Sequence, residues 1–175
     1  MTEDFKNAAA DLRQAKSAEA ISLQYLDVIR SFSTTSHMIL SSKHSEKIQT
    51  RLLQGMEAEI FSLGCDMLYA LTSFDPRGKH LNDADFDRLN SLIDASHELL
   101  SVRFNANKSK VENQDFKKFQ HTVRLVIKNF DEMAKPEFGL TAVNRQKVGI
   151  LKSKVGAAAR TLTSVYYTNQ RRHSR

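Results

Sequence analysis

The chain has 175 residues and carries 26 Lys+Arg against 20 Asp+Glu, a formal charge of +6. A single Cys excludes an internal disulfide framework or a multi-cysteine zinc site. Two Pro and six Gly are too few for a turn-rich β-sandwich or a disordered Pro/Gly-rich chain. No run approaches the roughly 18 apolar residues that span a bilayer, and the acidic start, Met1 to Asp4, is not followed by the apolar stretch of a secretory signal. A cytoplasmic, all-α domain with no membrane partner is expected.

Apolar residues recur in steps of three and four from the N-terminus. Phe5, Ala8, Leu12, Ala15, Ala18, Ile21, Tyr25, Val28 and Phe32 mark one face of a first amphipathic helix. Leu23, Leu26 and Ile29 widen that face and predict deeper burial of its second half. Thr2 is the expected N-cap, with Glu3 and Asp4 in the first turn. The hydroxyl cluster Ser31 to Ser36 predicts a break, because such side chains compete for backbone groups. A second helix, starting between Thr35 and Ser45, then runs through Ile48, Leu52, Met56, Ile60, Leu63, Met67, Leu71 and Phe74 to the turn Asp75-Pro76-Arg77-Gly78.

The third helix opens on Asn82 with Asp83, Asp85 and Asp87 behind it. Its stripe is Phe86, Leu89, Ile93, His97, Leu100 and Phe104, followed by the polar loop Asn105 to Ser109. Phe116, Phe119, Val123, Val126, Phe130 and Met133 define the fourth helix, which must stop before Pro136. The fifth starts near Thr141 and runs through Val148, Leu151, Val155, Ala158, Leu162 and Val165. These segments predict a single antiparallel bundle of four to five helices over residues 1–167, with a flexible basic tail at 168–175.

The charge is divided along the chain. Residues 1–100 hold 10 Lys+Arg and 15 Asp+Glu, a balance of −5; residues 101–175 hold 16 and 5, a balance of +11. Lys117, His121, Arg124 and Lys128 step by 4, 3 and 4, so they form one stripe on the fourth helix. Arg145, Lys152 and Arg160 share one flank of the fifth, with Gly149 and Gly156 between them, and Arg171 and Arg172 lie in the tail. Fixed phosphate charges supply a physical reason for such a stripe. A solvated helix face is the plain alternative, as is a close helix–helix contact at the two glycines. Tyr166 and Tyr167 are either a stacking surface for an exposed base or part of the core.

Other constellations lead to simpler readings. Asp83, Asp85 and Asp87 have calcium-loop spacing, but Arg88 stands where that loop needs Gly, so a helix start is expected. Asp94 and His97 lack the second carboxylate-x-x-His of a di-metal bundle, and His97 falls in the apolar stripe. Cys65 reads as a buried free thiol. Phosphate-binding loops, nucleophile elbows and metal-protease motifs are absent from the sequence. The expectation is therefore a non-enzymatic protein without cofactor, binding RNA or DNA through Lys117, His121, Arg124, Lys128, Arg145, Lys152, Arg160, Arg171 and Arg172. The competing expectation is an adaptor, chaperone or assembly subunit that uses acidic and basic complementarity toward a protein partner or its own copies.

Overall fold

A computed structural model describes residues 3–73, 81–106 and 109–174. Among the described residues the chain is all-helical, with α1 Glu3–Gln14, α2 Ala18–Leu40, α3 Glu46–Tyr69, α4 Asp83–Phe104, α5 Asn113–Met133 and α6 Ala142–His173. Short 3₁₀ turns, Ala70–Thr72 and Pro136–Phe138, follow α3 and α5. Gly64 lies against Leu100 while Glu57 meets Arg103, so α3 and α4 are antiparallel. Phe116 meets Tyr166 and Asp131 meets Lys152, so α5 and α6 are antiparallel too.

Six helices form where four or five are expected, because the first stripe belongs to two of them. Ala15, Lys16 and Ser17 interrupt it, and the Ser17 hydroxyl caps α2 by accepting the amide of Ala20 at 3.1 Å. The apolar period passes through this break unchanged, which hides it. The predicted break at Ser31 to Ser36 does not occur. Val28, Phe32, Thr35 and Ile39 keep the helical step, and Thr35 itself is buried on the core side of α2. The chain turns later, where Ser42 donates to the carbonyl of Ile39 and Ser45 caps α3. Leu23 and Leu26 also depart from expectation: they are 64% and 48% exposed, on the solvent side of α2. Thr2, Phe74 and the turn Asp75-Pro76-Arg77-Gly78 lie outside the described residues.

The cap of α4 is as expected. Asn82 accepts the amide of Asp85, and the Asp85 carboxylate accepts that of Asn82, a reciprocal capping box. This helix is the centre of the molecule, packing against α2, α3 and α6. At its end Phe104 is fully buried and joins four helices. Its ring centroid lies 6.3 Å from Phe61, 5.5 Å from Phe119 and 6.3 Å from Tyr166. Burying an aromatic of this size stabilises by about 1.5–3 kcal/mol, with more from edge-to-face geometry.

The C-terminal segment is not a tail. Helix α6 continues through Thr168 to His173, and Asn169 is buried to 1% exposure. Its Oδ1 accepts the amide of Val111 at 2.9 Å, and its Nδ2 donates to the carbonyls of Ala106 and Ser109. Gln170 donates to the carbonyl of Val111 at 2.7 Å. From the other side, Arg103 donates to the carbonyl of Lys110, and the Ser109 hydroxyl donates to Glu57. The α4–α5 connection is thus held between the last turns of α6 and a buried Arg103–Glu57 ion pair. The placement of Arg175 lies outside the described residues.

Candidate nucleic-acid interface

Helix α5 buries Phe116, Phe119, Thr122, Val126, Phe130 and Met133 on one side. At 100° per residue, Lys117, His121, Arg124 and Lys128 fall on the opposite side, and all four are exposed. None of the four has an ion pair among the described residues. Between Phe116 and Phe130 this helix carries no acid.

Helix α6 holds no Asp or Glu in its 32 residues. Its cations divide between two flanks. On the α4 side, Lys147 meets Asp83 at 3.0 Å and Lys154 meets Asp94 at 2.8 Å. Lys147 also lies 4.8 Å over the ring of Phe86. On the α5 side, the helical period places Arg145, Lys152, Arg160 and Arg171 in one row. Arg172, also exposed, falls on the other flank. The α4 side of α6 therefore pairs two of its lysines with acids, while on the α5 side Lys152 pairs with Asp131.

The two antiparallel anchors fix the register between α5 and α6. Asp131 pairs with Lys152 at 2.6 Å, and fifteen residues earlier Phe116 stacks on Tyr166 at a centroid distance of 3.7 Å and an interplanar angle of 5°. Midway between these anchors, Arg124 falls level with Ala158 and Ala159, within one turn of Arg160. The α5 stripe and the α6 flank thus run side by side on the outer surface of these two helices, with the Asp131–Lys152 pair between them.

Gly149 and Gly156 lie on the same flank of α6 as Arg160. Neither Gly149 nor Gly156 touches a neighbouring helix, which overturns the close-packing alternative. A Cβ at Gly149 would meet nothing within 4 Å, and one at Gly156 would meet only the Arg160 guanidinium at 3.4 Å. Arg160 folds back over Gly156 because no side chain is there to exclude it. The close helix contact lies at Gly64, whose Cβ would stand 2.7 Å from Leu100 Cγ.

The two tyrosines separate. Tyr166 is 5% exposed and belongs to the aromatic core, where burial raises its phenol above the ordinary range. Tyr167 is 52% exposed. The other candidates take their simpler readings: Asp83 and Asp85 serve the helix start, His97 is half-buried, and Cys65 is a buried free thiol. Burial pushes the Cys65 thiol up to about 12. No cluster of metal-ligating side chains occurs among the described residues. No helix of the described residues is long and apolar enough to cross a membrane. Compared with known proteins, the chain matches no family model, no curated sequence and no solved structure.

Proposed function

We propose that this protein is a non-enzymatic nucleic-acid-binding protein that seats a phosphate backbone on the outer surface of α5 and α6. The observation that carries the reading is two exposed cationic rows side by side on neighbouring helices: Lys117, Arg124 and Lys128 from α5, and Arg145, Lys152 and Arg160 from α6, of which Lys152 also pairs with Asp131. Like charges so spaced disfavour an isolated helix by a few tenths of a kcal/mol per pair. A polyanion reverses that cost and adds affinity by releasing condensed counterions. The open surface at Gly149 gives a backbone room to approach. Because phosphates carry no sequence information, recognition is by backbone and shape.

The direct test is filter binding at low salt, comparing wild type with the Lys117→Glu, Arg124→Glu, Lys128→Glu variant. The reading expects wild type to bind and the variant to lose about sixtyfold or more at 0.15 M salt, since each of the three phosphate contacts is worth about 0.6 decade there. Equal binding by the two proteins would overturn it. Light scattering in low and high salt addresses the competing reading. A salt-sensitive oligomer with a protein-like absorbance ratio would replace nucleic acid with a second copy or an acidic protein as the occupant of this surface.

A further inference from the structure

The cationic surface ends at an aromatic ring that its phosphate contacts do not use. Tyr167 lies on the same flank of α6 as Arg160, seven residues before it, and Arg171, four residues after it. Its ring is held in T-shaped contact with Phe116 at 6.0 Å and with Tyr166 at 5.3 Å. Those neighbours are locked into the core by the Phe116–Tyr166 stack. Tyr167 is therefore a rigid ring, half exposed, at the head of a cationic row. From Lys152 to Tyr167 that row is about 22 Å long at 1.5 Å per residue.

We infer that this surface is built for single-stranded nucleic acid, with an unpaired base stacking on Tyr167 while the phosphates follow the cations toward Lys152. This rests on the nucleic-acid reading and narrows it. A duplex presents phosphates on its outside and keeps its bases stacked within, so it gains nothing from the ring. A single strand offers both charge and a free base face, and aromatic stacking adds to phosphate contacts without demanding a particular base. Lys117 follows Phe116 in sequence and is exposed. The ring's neighbours fix its orientation in the free protein, which removes an ordering cost from binding.

Fluorescence anisotropy at fixed low salt tests this with three probes: a labelled oligouridylate of about 20 nucleotides, an abasic strand of equal length, and a duplex of equal length. Wild type should bind the oligouridylate about tenfold or more tighter than the abasic strand. Tyr167→Ala should abolish that preference and leave duplex and abasic binding unchanged, while Tyr167→Phe should retain it. Because Tyr167 is half exposed, the Ala variant should keep the wild-type circular dichroism. The inference is overturned, with the nucleic-acid reading left standing, if Tyr167→Ala binds the oligouridylate as wild type does while Lys117→Ala, Arg124→Ala, Lys128→Ala weakens all three probes. Failure of wild type to bind any probe overturns both.

Discussion

Asn169 gives the sharpest structural prediction, because the segment containing it reads as a flexible end in the sequence and as a latch in the fold. Asn169→Leu keeps the number and branching of the side-chain heavy atoms and removes the polar ones. Val111 is fully buried, so its amide would lose its partner without access to water. Stranding a buried donor costs about 1–3 kcal/mol. The carbonyls of Ala106 and Ser109 each lose one bond in a partly exposed setting, together about 1 kcal/mol more. The expected loss is about 3 kcal/mol, which for a chain of this size lowers the melting temperature by roughly 6–12 °C. Urea unfolding followed by circular dichroism measures it, and deletion of residues 170–175 should also destabilise, since it removes the Gln170 bond to Val111. A variant within about 0.5 kcal/mol of wild type would refute the latch and return the segment to a solvated end.

Three further outcomes follow from the packing. Gly64→Ala should destabilise by about 1–3 kcal/mol, since its Cβ collides with Leu100, whereas Gly149→Ala should stabilise by up to about 1 kcal/mol, having only solvent around it; paired urea melts decide both. Arg103→Met should cost about 3–5 kcal/mol because it leaves the buried Glu57 carboxylate without its ion-pair partner. Restoring stability with Glu57→Met in the same chain would identify the stranded charge as the cause, and no rescue would argue against it. Cys65 should resist thiol reagents at pH 8 in the native protein and react in denaturant. Its folded pKa lies above the ordinary 9.0, so its contribution to stability is full below pH 9 and is lost between pH 9 and about 12.

The legible parts of the sequence are those where the apolar period and the capping chemistry agree. Asn82 with Asp85, and Thr141 with its hydroxyl on the amide of Asn144, begin α4 and α6 where the residue types require. Pro136 sits beyond the end of α5, and Gly139 takes the positive φ of 86° that the next turn needs. The period misleads where it runs through a cap, as at Ser17, or where a hydroxyl fills an apolar position, as at Thr35. Leu23 and Leu26 look like core because they are apolar, yet α2 turns them to solvent. The latch at Asn169 is illegible for a different reason: its partners are backbone groups about 60 residues away, and backbone groups leave no mark in a sequence.

The candidate interface divides in the same way. The α5 stripe is legible, since helical spacing alone groups Lys117, His121, Arg124 and Lys128. The division of the α6 cations between the acids of α4 and Asp131 of α5 is not, because it depends on which flank meets which helix. The roles of Gly149 and Gly156 follow from the same packing.

Salt dependence of single-strand binding tests the central claim most directly. With six cations on phosphates and about 0.7 counterion released at each, the logarithm of affinity should fall with the logarithm of salt at a slope near 4. Replacing Lys117, Arg124 and Lys128 by Ala, at exposed helix positions that tolerate it, should reduce that slope by about 2. A slope that stays the same in the triple variant, or no binding at about 50 mM salt, would contradict this surface as a phosphate site.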